Sequence, residues 1–464
     1  MCKTHLEFAP KMCKTVISSH QPEIPQEVTL MERHAMQTLM RWKDSDDRKP
    51  LVLKGARQVG KTWLMREFGR RAYAHTVYLN FDEEDALRSI FETNKDPQRI
   101  IELLSLIAGQ KIQPRETLII FDEVQECPQA LNALKYFKEK APDYHIIAAG
   151  SLLGTLLAQP KSYPVGMVNL LELGPMTFAE FLAATNASLH LYYQSIQKDQ
   201  PIEEIFHRQL LEAYDHYLII GGMPECVASW ISHKDPARIQ RIQHELITIY
   251  ENDFSKYNGR VNSGRILMVF RSLVSQLAKP NEKFVYGAMK KGARAREFEE
   301  AIEWLVSAGL VNRVYNVSKP EHPLKAYDQL QHFKLFLFDT GLLKTMAGID
   351  NSAILLGEAF QFKGPLTENY VLQELQGKLD ISPRYYSEGR TEIDFVLQIG
   401  SSIIPVEVKA GKDKSAPSFK NYIAAHHPSA AVRFSRRAYR TDGNITNIPL
   451  YLAEKTAQLL AESN

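Results

Sequence analysis

The sequence predicts an α/β protein in which two sheet-containing domains are joined by a helical middle. Three observations predict this arrangement. A glycine-rich loop lies between a short apolar strand and a helix at residues 51–71. Apolar runs of strand length then alternate with helical stretches as far as about residue 190, and two strands with polar side chains follow at residues 392–409. At 464 residues, the chain is long enough for two or three domains.

The loop at residues 55–62 reads GARQVGKT and fits the phosphate-binding pattern G-x-x-x-x-G-K-[ST]. Between a strand and a helix, the N–H groups of such a loop face an anion at the positive end of the helix. We expect Gly55 and Gly60 to shape the loop and Lys61 to reach the β and γ phosphates of ATP. The hydroxyl of Thr62 would then ligate Mg²⁺.

Two acids, Asp122 and Glu123, follow an apolar run of strand length at residues 118–121. Asp122 is expected to complete the Mg²⁺ shell, and Glu123 to polarise the water that attacks the γ phosphate. A further strand-like run at residues 76–81 lies between the loop and these acids. The intervening strand and the glutamate beside the aspartate favour a nucleotide hydrolase of the AAA type.

A third apolar run, at residues 145–149, leads into Ser151. Two interpretations of Ser151 remain open. It senses the γ phosphate from the strand end, or it is the N-cap of a helix over residues 152–157. A strand over residues 167–173 is then expected to close a parallel, helix-covered sheet in a domain spanning about residues 31–190.

Composition sets limits on the compartment and the partners. A net charge of +2 and a pI of about 8.1 neither require nor exclude nucleic acid. The four cysteines stand far apart without a C-x-x-C pair, which predicts a cytoplasmic, reducing setting and no zinc site. No apolar run reaches transmembrane length, so no membrane association is expected. Residues 1–30, in which Met-Cys-Lys-Thr recurs, are expected to be a flexible extension.

The middle of the chain is expected to be helical. Residues 191–260 form a candidate lid or linker with a Gly-Gly-Met-Pro corner at 221–224. Residues 261–320 resemble a winged helix whose third helix exposes glutamates, which favours a role in domain or protein contacts over reading a DNA groove. The expected elements are helices over 267–277, 284–291 and 294–308, and wing strands over 309–315.

Residues 321–464 predict a second α/β domain with a candidate metal centre. Glu407 and Lys409 stand two apart on one strand and therefore share a face. A hairpin with the preceding strand would bring Asp394 beside Glu407. Glu368 opens a helix further upstream. The acids would hold one or two Mg²⁺ or Mn²⁺ ions, and Lys409 would orient or activate the water for phosphodiester hydrolysis.

This order of three acids and a lysine resembles that of the PD-(D/E)XK nuclease superfamily, although Ile393 stands where the name of the superfamily has proline. From about residue 31 to 455, the chain is similar to a widespread prokaryotic family that joins an AAA-type P-loop ATPase domain to a C-terminal domain of unknown function with this nuclease-like core. The shared motifs are GARQVGKT at 55–62, LIIFDEVQ at 118–125, GS at 150–151, GGMPE at 221–225, LFLFDTGLL at 335–343, a helix beginning LTEN at 366–369, EIDFVL at 392–397 and VEVK at 406–409.

Two functions remain open at this stage. In the first, a Mg²⁺-dependent ATPase is coupled to a nuclease-like domain that cleaves or binds DNA or RNA. In the second, a nucleotide-driven switch binds a protein partner and the nuclease-like core is an inactive scaffold. Candidate partners are therefore ATP, nucleic acid, another protein and further copies of the chain. Arginines at 433–440 form either a nucleic-acid contact or a solvated surface. No arginine is assigned as an arginine finger, because Arg57, Arg66, Arg70 and Arg71 are equally consistent with that role and with structural roles.

Overall fold

The computed structural model describes residues 31–83, 85–151, 153, 166–198, 200–279, 282–358, 360–378, 382–411 and 417–460, with only the backbone described at 85, 256–261 and 378. The extension expected at residues 1–30 lies outside this part of the chain. So does most of the helix expected after Ser151.

The N-terminal domain contains a five-stranded sheet in which all neighbouring strands are parallel, in the order β2-β3-β4-β1-β5. This confirms the parallel sheet that the alternating apolar runs predicted. Its strands are β1 (Leu51–Lys54), β2 (His75–Asn80), β3 (Thr117–Asp122), β4 (His145–Ala149) and β5 (Asn169–Glu172). Its helices are α1 (His34–Lys43), α2 (Lys61–Ala72), α3 (Asp85–Thr93), α4 (Pro97–Ala108) and α5 (Pro128–Lys140).

A helical region follows this sheet. The Gly-Gly corner ends one helix at Ile220. The next helix begins at Pro224, where proline is favoured because the first turn of a helix does not use the backbone N–H that proline lacks. The last helix of the region is 42 residues long and contains the stretch expected as the first winged-helix element. The helices are α6 (Phe178–Thr185), α7 (Ala187–Ser195), α8 (Glu204–Ile220), α9 (Pro224–His233) and α10 (Pro236–Leu277).

The C-terminal part contains a mixed, eight-stranded sheet with the order β12-β13-β11-β10-β9-β8-β6-β7. Its strands are β6 (Val311–Val317), β7 (Asp328–Leu337), β8 (Arg384–Glu388), β9 (Thr391–Ile399), β10 (Ser402–Val408), β11 (Ala431–Ser435), β12 (Arg440–Asp442) and β13 (Ile445–Pro449). Its helices are α11 (Ala295–Ser307), α12 (Thr340–Met346), α13 (Asn351–Leu355), α14 (Lys363–Lys378), α15 (Pro417–His426) and α16 (Thr456–Leu460).

The winged-helix prediction was wrong in its second helix. Between residues 284 and 291 the structure has only a short 3₁₀ turn, Tyr286–Ala288. At the start of this segment the side-chain amide of Gln276 donates to the Val285 carbonyl and accepts from the Val285 N–H, both at 3.0 Å. The same carbonyl accepts from the Ala288 N–H at 3.0 Å, which closes the 3₁₀ turn, so the local hydrogen bonds form a turn held by a side chain.

The expected wing strand is also not part of a separate small domain. Strand β6 pairs with β7 on one side and with β8 on the other, inside the eight-stranded sheet. A domain boundary at residue 320 would cut the β6–β7 hairpin. The segment from β6 onward therefore belongs structurally with the C-terminal sheet.

One apolar core joins the two sheets through the helical region. It includes Leu53 of the first sheet, Tyr217 of α8 and Phe395 of the second sheet, all fully buried. A second core, under α3 to α5, covers the other face of the parallel sheet. In the described part of the chain no helix is both long and apolar enough to cross a membrane.

Candidate functional sites

The loop at residues 55–62 lies where β1 meets α2, and two of its glycines are required by its path. Gly55 has φ of 149°, and a Cβ there would lie 2.1 Å from the carbonyl oxygen of Leu173. Gly60 has φ of 94° immediately before α2. Because side chains are disfavoured at both positions, the loop keeps an open cradle at the start of the helix.

Lys61 folds back over this cradle. Its Nζ donates to the carbonyl oxygens of Gly55 at 3.0 Å and Ala56 at 2.7 Å. Burial lowers the pKa of Lys61 to about 8, although Glu123 and Asp122 partly oppose that effect. A phosphate could replace the carbonyls as the partner of this ammonium group, and its negative charge would raise the pKa again.

Thr62 and Asp122 meet directly below the loop. The Thr62 hydroxyl donates to Asp122 Oδ2 at 2.6 Å, and the Tyr78 hydroxyl donates to the same oxygen at 2.9 Å. A hydroxyl and a carboxylate are the oxygen ligands that Mg²⁺ takes beside a phosphate-binding loop, with phosphate and water completing the shell. The open cradle and this oxygen pair therefore fit MgATP.

Glu123 lies beside the pair with an unusual backbone. Its φ of 49° and ψ of 42° are left-handed, which few residues other than glycine adopt. Its Oε2 accepts a hydrogen bond from Gln125 Nε2 at 2.5 Å and lies 3.5 Å from the Ser151 hydroxyl. Ser151 therefore lies beside Glu123, whereas most of the helix that it would cap lies outside the described residues.

Sequence reasoning missed two residues of this site, Tyr78 and Gln125. Tyr78 pairs with Ile120, two residues before Asp122, so the alternation along parallel strands places both polar groups on one face. The guanidinium of Arg66 lies 3.8 Å from the centre of the Tyr78 ring. The alternation of side chains along the strands could therefore have predicted the position of Tyr78. Gln125 lies in a 3₁₀ turn, and no sequence pattern indicated its contact with Glu123.

The other arginines near the loop are engaged within the chain. Arg57 Nη1 lies 2.9 Å from Asp253 Oδ1 of α10. Arg70 and Arg71 both bond to Glu67 within their own helix, each at 2.6 Å. These pairs indicate structural roles for the arginines in the conformation described.

The second candidate centre lies on the β9–β10 hairpin. The antiparallel register places Asp394 beside Glu407, and Asp394 Oδ2 accepts from the Val408 N–H at 2.7 Å. Lys409 Nζ forms an ion pair with Glu407. Burial, together with the neighbouring charge of Glu407, raises the pKa of Asp394 to about 7, although the charges of Lys334 and Lys409 oppose that shift. Two adjacent acids that repel each other in this way suit a cation between them.

Glu368 does not open its helix as expected, because α14 begins at Lys363 and Glu368 lies in the second turn. It faces a different lysine. Lys334, on β7, has its Nζ 3.9 Å from Glu368 Oε2 and 3.2 Å from both Glu282 Oε2 and Glu392 Oε1. Sequence reasoning missed Lys334 and Glu282. The signal for Lys334 was its position inside the apolar run FKLFLF at 333–338, because a charge within a buried strand needs partners.

The metal-binding capacity of this centre is limited. Asp394 and Glu407 are two neighbouring carboxylates on paired strands, and Glu368 Oε2 is buried without a hydrogen-bond partner in the described structure. Across the described side chains, however, no three acids, histidines or cysteines converge closely enough to form a complete site. Water or a substrate phosphate would therefore supply the remaining ligands, as is usual for Mg²⁺.

The basic cluster near the C-terminus is partly engaged inside the protein. Arg436 forms two hydrogen bonds with the carboxylate of Asp215 on α8, at 2.5 and 2.8 Å. The guanidinium of Arg433 lies 5.8 Å from the centre of the Phe419 ring. Two of the four arginines thus contribute to packing between elements, which weakens the interpretation of the cluster as a nucleic-acid contact.

Comparison with family models divides the chain into three matched segments. Residues 47–182 match a model described as an AAA domain. Residues 211–353 and 363–453 match two models described as domains of unknown function, DUF8612 and DUF4143. No curated protein matches the chain.

Several solved structures are similar over most of their length. The Walker-type ATPase PABY2304 of Pyrococcus abyssi is 15% identical, with 68% of this chain and 96% of that chain covered and a TM-score of 0.45. The Aeropyrum pernix ORC1 protein in complex with DNA is 14% identical, with 72% and 97% covered and a TM-score of 0.30. The Thermotoga maritima RuvB Holliday junction branch migration motor is 13% identical, with 60% and 88% covered and a TM-score of 0.26. These scores are too low to support a functional inference.

The parallel sheet and the phosphate-binding loop give the N-terminal part a P-loop NTPase fold, and residues 47–182 of it are similar to the AAA domain model. A helical region and a mixed-sheet C-terminal part follow it.

Proposed function

We propose that the chain is a Mg²⁺-dependent ATPase of the AAA type, whose ATP turnover is coupled to a nuclease-like domain that acts on DNA or RNA. The observation that carries the ATPase half is the hydrogen bond from Thr62 to Asp122, made beside Lys61 at the open end of the loop. It brings the hydroxyl, carboxylate and ammonium groups that a nucleotide triphosphate needs into one place.

Hydrolysis would divide among these residues by their chemistry. Lys61 binds the β and γ phosphates through its charge, and Thr62 and Asp122 hold Mg²⁺, which neutralises phosphate charge when bound. Glu123 orients and polarises the attacking water, with its carboxylate fixed by Gln125. Ser151 is placed to contact the γ phosphate or the same water.

The nuclease-like half rests on the β9–β10 hairpin. Asp394 and Glu407 provide carboxylate oxygens for one Mg²⁺ or Mn²⁺ ion, and Glu368 lies at the border of the same cluster. Lys409, paired with Glu407, is placed to orient or activate a water against a phosphodiester. These residues support phosphodiester chemistry through the oxygen ligands and the lysine that it needs.

Coupling between the two halves is supported by helix α10. Its Asp253 and Tyr250 contact Arg57 of the phosphate-binding loop. Near its end, Gln276 holds the chain that leads to Glu282, which pairs with Lys334 beside the candidate metal centre. One helix therefore connects the loop to the segment that reaches the second centre.

ATP hydrolysis with and without DNA tests the first half directly. Lys61→Ala should abolish nucleotide binding, and Glu123→Gln should retain binding but lower kcat by about 10²–10⁴. Lys111→Ala, at an exposed position outside the site, is the matched control. A Lys61→Ala protein that hydrolyses ATP at the native rate would refute the assignment of this loop.

Cleavage of plasmid DNA and of RNA in Mg²⁺ or Mn²⁺, with and without ATP, tests the second half. Cleavage that disappears in both Asp394→Ala and Lys409→Ala, but persists in the exposed control Lys420→Ala, supports a nuclease. Absence of cleavage, together with an ATPase rate that does not respond to nucleic acid, favours the second candidate function.

That second candidate is a nucleotide-driven switch that binds a protein partner, with the nuclease-like core as a scaffold. Two observations favour it. Lys334 already neutralises part of the acidic cluster. Arg436 forms an ion pair with Asp215 and therefore does not contribute to a free basic surface. Affinity capture with wild type and Glu123→Gln in ATP tests it, because a switch should hold its partner more strongly in the ATP-locked variant.

The proposal also includes the cellular compartment and the oligomeric state. Buried free thiols at Cys127 and Cys226 support a reducing, cytoplasmic setting. Self-association stays a prediction, which mass measurement in solution with and without ATP would test.

A further inference from the structure

Lys334 lies among three carboxylates that come from three different parts of the chain. It belongs to strand β7 and is only 1% exposed. Its Nζ is 3.2 Å from Glu282 Oε2, which follows α10, and 3.2 Å from Glu392 Oε1 of β9. Glu368 Oε2 of α14 is 3.9 Å away. The ring centre of Tyr385 lies 5.1 Å from the same ammonium group. Lys334 therefore occupies a closed position within the cluster.

Neighbouring carboxylates compensate the burial of this ammonium group. A buried charge without partners costs several kcal/mol, whereas a buried charge surrounded by opposite charges can be maintained. The three carboxylates within 4 Å of Lys334 Nζ provide that compensation.

The acidic cluster, which consists of Glu282, Glu368, Glu392, Asp394 and Glu407, consequently has two halves. Lys334 compensates Glu282, Glu368 and Glu392, whereas Lys409 pairs with Glu407 next to Asp394. A divalent cation between the last two acids would compete for Glu407 only with the half-buried Lys409. A second cation near Glu368, about 3.5–4 Å from the first as in two-metal sites, would have to lie against the Lys334 ammonium group. Like-charge repulsion in a buried site makes that arrangement costly.

We propose that Lys334 permanently takes the place of a second metal ion, so that the centre binds a single divalent cation between Asp394 and Glu407. Lys334 then also acts as a positioning residue, because it holds Glu368 at the border of the cluster. This inference rests on the proposed nuclease-like function for its biological meaning, but the number of bound ions can be measured whether or not the protein cleaves nucleic acid.

Counting Mn²⁺ ions on the full chain tests the proposal. Equilibrium dialysis without nucleotide, in an Asp122→Asn background that weakens the other candidate site, should give one Mn²⁺ per chain and none after Asp394→Asn. Lys334→Met should bind a second Mn²⁺, or bind the first at least roughly tenfold more tightly, since a nearby positive charge has been removed. Lys325→Met, at an exposed position before β7, is the control and should behave as the background.

A second variant keeps the test decisive if Lys334→Met does not fold. Lys334→Met combined with Glu282→Gln removes one charge of each sign and still vacates the place of the ammonium group. Its folding is checked by circular dichroism and thermal unfolding, and its unfolding temperature should rise more with Mn²⁺ than that of the background. Two Mn²⁺ ions in the background protein would overturn the proposal, as would unchanged Mn²⁺ binding in both folded variants.

The remaining outcomes separate this proposal from the proposed function. One Mn²⁺ in the background protein without any cleavage of nucleic acid supports the role of Lys334 and removes the nuclease activity. No Mn²⁺ in the background protein would overturn the single-ion centre, and would also remove metal-assisted cleavage from the proposed function.

Discussion

Arg57 of the phosphate-binding loop and Asp253 of helix α10 form an ion pair across 196 residues of sequence, with Nη1 and Oδ1 2.9 Å apart. The Tyr250 hydroxyl, one helical turn earlier, donates to the backbone carbonyl of Arg57 at 2.8 Å. The loop that would hold the nucleotide is therefore fixed at two points by the helix that leads to the C-terminal sheet. A change in the loop on binding phosphate would be transmitted to α10 directly.

The first prediction concerns this pair. Arg57→Ala and Asp253→Asn should each weaken ATP binding by up to about fivefold, because half-exposed ion pairs contribute at most about 1 kcal/mol. The double variant should be no weaker than the weaker single variant, since both substitutions remove the same contact. Titration with a fluorescent ATP analogue measures this. Glu245→Gln, an exposed acid on the same helix, should have no effect. Additive effects of the two substitutions would show that the pair does not act on the loop.

The second prediction follows from the pKa of Lys61, which burial lowers to about 8. Above that pH, the lysine in the nucleotide-free protein is largely neutral, and ATP phosphates raise its pKa so that binding takes up a proton. ATP affinity should therefore fall as pH rises through about 8. Calorimetry at pH 8.5 in buffers of different ionisation enthalpy should show proton uptake in wild type. Lys61→Arg stays charged and should show none, and equal uptake in both proteins would contradict the prediction.

The third prediction concerns the hydrogen bond between Gln125 Nε2 and Glu123 Oε2. Gln125→Ala leaves the carboxylate of Glu123 in place but free to rotate, so kcat for ATP should fall by roughly tenfold with little change in KM. Gly150→Ala should have a similar effect, because a Cβ there would lie 2.2 Å from Gln125 Oε1 and displace the amide. Steady-state ATPase kinetics measure both variants. A rise in KM without loss of kcat would place Gln125 in nucleotide binding instead.

The nucleotide site was predictable from the sequence to the extent that its parts are local. The glycines and lysine of the loop stand in one short motif, and Asp122 ends a strand whose apolar run is visible in the sequence. The hairpin that joins Asp394 to Glu407 was equally local, because the two residues are 13 apart and a turn lies between them. The spacing of these residues in the sequence was therefore enough to predict that they lie close together.

The residues that sequence reasoning missed depend on long-range packing. Lys334 meets Glu282, Glu368 and Glu392 only because β6 and β7 join the C-terminal sheet instead of forming a separate wing. In the segment before β6, the side chain of Gln276 binds the backbone of Val285, where a helix was expected. A contact of this kind between a side chain and a backbone nine residues away is not visible in the local sequence pattern.

The last prediction concerns Asp339, which is fully buried where the Gly-Gly corner meets helix α12. Its Oδ2 accepts from the Gly222 N–H at 2.7 Å, and its Oδ1 accepts from the Leu342 N–H at 2.9 Å. Asp339→Ala leaves two buried N–H groups without partners and should lower the free energy of unfolding by about 1–3 kcal/mol for each. Asp339→Asn keeps one acceptor oxygen and should be less destabilising.

The pH dependence of the free energy of unfolding provides a second measurement for Asp339. Burial raises the pKa of Asp339 to about 6 from its ordinary 3.8, although the backbone N–H group of Gly222 opposes the shift. The folded state therefore binds the proton more tightly than the unfolded state. Its contribution to stability is fully present below about pH 4 and is lost as the pH rises through about 6. Urea unfolding of wild type and Asp339→Asn between pH 4.5 and 7.5 should show a steeper decline in wild type up to about pH 6 and parallel behaviour above it. Parallel behaviour over the whole range would mean that Asp339 is ionised throughout, and that its charge is fully compensated by the N–H groups of Gly222 and Leu342.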